Sequence, residues 1–86
     1  MIKVILLKDA EEGKSSVFAK AIIENNGFSI EIAVGNIKKD KSIVLPKGTV
    51  VFDLPDAYIG KLTTKTESFV VESTGEIKQV TNIVIN

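Results

Sequence analysis

The sequence predicts an all-β domain: a small antiparallel barrel of five to six strands, built from hairpins. Three observations lead there. Val, Ile and Thr are abundant while Leu and Ala are few, the vocabulary of pleated strands rather than helices. Turn signals recur at short intervals, at Glu11-Glu12-Gly13, Asn25-Asn26-Gly27, Gly35-Asn36, Pro46-Lys47-Gly48, Pro55-Asp56 and Ser73-Thr74-Gly75. The 86 residues, 44% apolar and 26% charged, suit one folded domain over 1–86 with no repeat or low-complexity tract. A chain of this size buries only roughly 60% of its unfolded surface, so a deep substrate cavity would compete with the core.

Ile2 to Leu7 is apolar at nearly every position, as expected of a strand covered on both faces. The acidic turn Asp9 to Gly13 ends it. Ser16 to Val34 is broken only by Asn26-Gly27, and Asn-Gly between strand-like runs is the strongest short hairpin signal. With Asn26 and Gly27 as loop residues, Asn25 faces Phe28, Ile23 faces Ile30, Ala21 faces Ile32 and Ala19 faces Val34. The expected core face is then Ala19, Ala21, Ile23, Phe28, Ile30, Ile32 and Val34. The opposite face carries Phe18, Lys20, Ile22 and Glu24 across from Gly35, Ala33, Glu31 and Ser29. A slip of one residue would bury Lys20 and Glu31, which specifies the register.

Ile37 to Leu45 reads as an exposed connection with a short strand near Ile43 to Leu45. Thr49 to Leu54 alternates, with Val50, Phe52 and Leu54 inward and Thr49 and Asp53 outward. After Pro55, Asp56 to Gly60 suits one helical turn, proline at its start and glycine at its stop. Lys61 to Glu67 is polar and Thr-rich and is expected to be a mobile loop. Ser68 to Glu72 and Glu76 to Ile85 form the last hairpin, with Val71 set against Ile77. The pattern as a whole is that of an OB-like barrel.

Composition excludes much chemistry. There is no Cys and no His, which removes disulfides, thiol nucleophiles, His-based triads and the usual zinc and iron–sulfur ligand sets. No cofactor or metal is implied, and the chain is expected not to be an enzyme. Gly13-Lys14-Ser15 looks like the tail of a phosphate loop, but Lys8 stands where the motif requires its first glycine. Glu11-Glu12 and Asp53-Asp56 lack the alternating oxygen ligands of a calcium loop and read as solvated turn acids. No apolar stretch approaches the ~20 residues of a membrane span and no signal segment is evident, so a cytoplasmic location without membrane contact is expected.

Eleven basic and eleven acidic residues cancel, and every basic residue is Lys. Lysine lacks the planar fork that reads guanine or grips phosphate bidentately, which argues against sequence-specific duplex reading. Phe18 with Lys20 is the group that points to a function. Its register places a ring beside an ammonium on the face opposite the core, the arrangement on which single-stranded bases stack while lysines follow phosphate. The alternative is that Phe18 is covered by the chain or by a dimer contact. Lys38, Lys39 and Lys41 make a local positive excess, either a solvated loop or a phosphate contact. Tyr58, with Lys61 three residues on, is either a plug at the barrel end or a second stacking platform.

Met1-Ile2-Lys3-Val4, the length, the Asn-Gly hairpin and Leu45-Pro46-Lys47-Gly48-Thr49-Val50-Val51 together resemble the small single-stranded-DNA-binding proteins of filamentous phages. That resemblance covers about a quarter of the chain. It implies a dimer of OB-like barrels, of phage or mobile-element origin, that coats single-stranded DNA during replication in the host cytoplasm. The family's Tyr and Arg contacts do not carry over by identity, since the sequence has one Tyr and no Arg. Two functions are therefore expected: sequence-tolerant single-stranded DNA binding as a homodimer, or a structural interaction module with no nucleic-acid role.

Overall fold

A computed structural model describes residues 1–86. Its strands are β1 (Ile2–Leu6), β2 (Ser16–Asn25), β3 (Phe28–Lys38), β4 (Val50–Leu54), β5 (Leu62–Val70) and β6 (Ile77–Ile85), with a 3-10 helix, η1 (Asp56–Lys61), before β5. All six lie in one sheet, ordered β4-β1-β2-β3-β6-β5. The fold is all-β. One pairing departs from the expected antiparallel scheme: β3 and β6 run parallel, through Asn36 and Asn82.

β1 lies between β4 and β2, which accounts for its apolar run. Ile2, Val4 and Leu6 are buried on the inner face, while Lys3 and Ile5 are half-buried on the outer one. Asn26 and Gly27 have φ of 49° and 81°, so the β2–β3 turn takes the positive-φ form that its two residues favour. From the turn, Asn25 pairs with Phe28 and Ile23 with Ile30, as the spacing predicts.

The register then shifts. Ile22 faces Glu31 but Ala21 faces Ala33, so Ile32 is an extra residue in β3. Beyond this bulge Lys20 faces Val34, Ala19 faces Gly35 and Phe18 faces Asn36, which corrects the expected pairs Ala21–Ile32, Ala19–Val34, Phe18–Gly35 and Lys20–Ala33. Val34 belongs to the outer face. The bulge delivers the small residues Ala33 and Gly35 to the inner face, where β6 passes. A Cβ on Gly35 would lie 2.7 Å from the Thr81 carbonyl oxygen, so only glycine admits β6 this closely.

Four more expectations are corrected. Phe28 and Ile30 are 76% and 58% exposed, because the hairpin tip extends past everything that covers the inner face. β4 has its own irregularity: Val4 faces Phe52 but Ile5 faces Val50, so Val50 lies outward and Val51 packs against the core instead. Lys61 to Glu67 is no loop; Lys61 ends η1 and Leu62 to Glu67 is strand, its threonines being β-branched residues with both faces in solvent. At the far turn Val70, not Val71, faces Ile77, and the Val71 N–H donates to the Glu76 carbonyl at 2.8 Å.

β4 and β5 occupy opposite edges of the sheet yet are joined by only Pro55 and η1. The sheet must therefore curl until its edges approach. They do not hydrogen-bond to each other, and the sheet stays open. Ile2, Val4, Leu6, Ala10, Val17, Ala19, Ala21, Ala33 and Leu62 form the core inside the curl, with Tyr58 and Ile83 packed on it. Beside this core lies an apolar trough of about 540 Å³, flanked by Ile37, Phe52, Leu62 and Ile83. The molecule measures 49 × 26 × 20 Å, the long dimension reflecting strands that outrun the core.

Candidate nucleic-acid interface

Alternation along β2 sends Val17, Ala19 and Ala21 inward and Phe18, Lys20 and Ile22 outward. The outer three differ in cover. Ile22, between Lys3 and Glu31, is only 6% exposed, while Lys20, between Ile5 and Val34, is half-buried. Phe18, at the end of the row, is also half-buried, with Asn36 opposite on β3. On its other side the Leu7 N–H donates to the Phe18 carbonyl at 2.8 Å, which carries the chain of β1 past the ring. The ring thus faces away from the core and keeps an accessible surface.

The ammonium over that ring belongs to Lys8, whose Nζ lies 5.9 Å from the ring centroid. Lys8, Asp9, Ser16, Phe18 and Asn36 border a shallow recess of about 280 Å³. Lys38 pairs with Ser16 and so belongs to the same outer row as Phe18. Lys8 and Asn36 escape sequence reasoning because they reach Phe18 only through the β1–β2 register and the β3 bulge. The Asp9 carboxylate at the rim is engaged, accepting the Lys47 N–H at 2.7 Å.

Lys39 has another task. Its Nζ donates to the carbonyls of Glu11, Asp40 and Ile43 at 2.7, 3.2 and 3.0 Å. An ammonium has three protons, and all three are committed to joining the 9–15 and 39–45 loops. Asp40 completes that corner: its Oδ1 accepts the Ser42 N–H at 2.8 Å and the Ser42 hydroxyl at 2.7 Å. The backbone bond first, then the hydroxyl, hold the Asp40 carboxyl below the usual carboxylate range, with the charge of Lys39 adding to them. Lys41 is exposed, and its carbonyl accepts the Gly13 N–H at 2.8 Å.

Tyr58 and Lys61 stand apart from Phe18. The Lys61 Nζ lies 5.5 Å from the Tyr58 ring centroid, but Tyr58 packs against the inner-face cluster. The two aromatic–lysine pairs therefore belong to different faces. No three Asp or Glu side chains converge as metal ligands, and no helix is long and apolar enough to cross a membrane. What the outer face offers chemically is one accessible ring and the cations of Lys8, Lys20 and Lys38; the Asn36 amide is engaged, its Nδ2 donating to the Thr81 carbonyl at 3.3 Å. Among known protein families, curated proteins and solved structures, none matches this chain.

Proposed function

We propose that the outer face of β1–β2–β3 binds single-stranded nucleic acid, single-stranded DNA first, without regard to sequence. A base stacks on Phe18, and Lys8, Lys20 and Lys38 follow the phosphates on either side. The observation that carries this reading is the Lys8–Phe18 pair: a partly open ring on the side away from the core, with its cation 5.9 Å from the centroid. An OB-like barrel left open between β4 and β5, of phage or mobile-element origin, is part of the same proposal, supported by the curl of the sheet and the filamentous-phage resemblance. The chain acts as a binding protein, not an enzyme. Lys39 has no role in it, its protons being committed to carbonyls.

Titration of a fluorescent oligo-dT at two salt concentrations tests it. Binding should weaken as salt rises, and Phe18→Ala should cost about 1–3 kcal/mol at either. Unchanged anisotropy at low salt and high protein concentration would falsify the reading. One set of observations favours a structural interaction module instead: Phe28, Val70 and Ile77 are 76%, 60% and 69% exposed at the two hairpin ends. In that case the oligonucleotide stays free and variants at those apolar tips change assembly.

A further inference from the structure

The two edges of the sheet differ in kind. β4 has five residues and an interrupted register, and it stands between Pro46 and Pro55, all features that discourage edge pairing. β5 runs nine residues with an unbroken register to β6 and no proline. Its other side pairs with nothing in the chain. Two hydrogen bonds establish which groups point there. The Asn86 N–H donates to the Lys61 carbonyl and the Val71 N–H to the Glu76 carbonyl, both at 2.8 Å and both in the register that sets Leu62 against Ile85. Bonded and non-bonded pairs alternate in an antiparallel ladder, so the odd-numbered residues bond inward to β6. The N–H and C=O groups of Leu62, Thr64, Thr66, Ser68 and Val70 therefore face the open edge.

That edge is complementary to itself. The strand reads Leu62-Thr63-Thr64-Lys65-Thr66-Glu67-Ser68-Phe69-Val70. A second copy laid antiparallel about Thr66 sets Thr66 against Thr66, Thr64 against Ser68, Leu62 against Val70 and Lys65 against Glu67. We propose that this edge is a homodimer interface, with two β5 strands joined across a twofold axis at Thr66. The outward groups supply roughly ten backbone hydrogen bonds in that register. Charge selects the register. An axis at Lys65 would set Lys65 against its own copy, and an axis at Glu67 would do the same to Glu67; both place like charges directly opposite. The Thr66 axis instead makes two opposite-charge pairs at non-bonded positions, where cross-strand side chains are closest. Within one chain Lys65 and Glu67 already stand 3.6 Å apart, so the dimer gathers four charges of alternating sign. Nucleic-acid binding is not needed for any of this.

Sedimentation equilibrium at low salt on the whole chain and on K65E, E67K and K65E/E67K tests the interface. Both side chains are exposed, so far-ultraviolet circular dichroism should show every variant folded. The wild type should dimerise, and each single variant should associate at least about tenfold more weakly, since it makes two like-charge pairs. The double variant should recover the dimer, as should an equimolar mixture of the two singles. A wild type that stays monomeric at millimolar concentration overturns the proposal. So does a dimer indifferent to the exchanges, or tighter association when both charges are replaced by Thr, which would mark them as guards against pairing.

Discussion

Leu6 and Phe28 are both apolar strand residues on the same face of one sheet, yet Leu6 is 1% exposed and Phe28 76%. The base of the β2–β3 hairpin lies under Leu62, Tyr58 and β6, whereas its tip reaches beyond them. The β5–β6 hairpin repeats the contrast, with Leu62 buried at its base and Val70 and Ile77 open near its turn. Alternation decides which way a side chain points. Burial depends on whether another segment crosses above it.

The largest expected effect breaks or sustains that contrast directly. Leu6→Ala should destabilise the fold by about 2–5 kcal/mol, through lost burial and the cavity left behind. Phe28→Ser should change stability by less than about 1 kcal/mol. Chemical denaturation of both checks the pair, and equal losses would mean that the tip is covered in solution. Next comes the crossing segment itself. Gly35→Ala should cost about 1–3 kcal/mol, because its Cβ meets the Thr81 carbonyl oxygen, backbone rather than a flexible side chain. Hydrogen exchange should then quicken in β6 while β1 amides keep their protection.

A smaller effect separates structural lysines from exposed ones. Lys39→Met should cost about 1 kcal/mol by stranding three carbonyl partners, and it should leave oligonucleotide affinity unchanged. Lys38→Ala should do the reverse, with little change in stability and a salt slope of binding shallower by about one. The smallest effect is at Asp40. Its carboxyl titrates lower in the folded chain than unfolded, so the Ser42 contacts add stability above its unfolded value and lose it as pH falls through the folded one. A carboxyl carbon titration by NMR should place Asp40 at the acidic end of the carboxylates, and Ser42→Ala, which removes the hydroxyl but keeps the backbone donor, should move it only part of the way back.

How much of this is legible in the sequence varies by residue. The Asn26-Gly27 turn is a local event, needing only two residues of positive φ, and its first pairs follow by counting. The β3 bulge is not legible, because Ile30, Ile32, Ala33 and Val34 are all apolar and either parity fits the pattern. β5 is hidden for the opposite reason: beyond the buried Leu62 both its faces are in solvent, and it shows no apolar alternation, only Thr-rich polarity. Phe18's outward direction follows from alternation in β2, while Lys8 above it and Asn36 beside it depend on pairings between distant segments. Lys39 looks like a free cation in a lysine run until two loops close around it.

By itself the sequence determined the strand character of the chain, the positions of its main turns and the outward direction of Phe18. These rest on interactions within a few residues, through φ preferences, β-branching and side-chain alternation. Only the tertiary structure decided which apolar residues are covered, which lysines are committed, where the strands carry bulges and which edge stays open. Those outcomes depend on how η1 and β6 cross the inner face, and no local pattern encodes a neighbour that arrives from the other end of the chain.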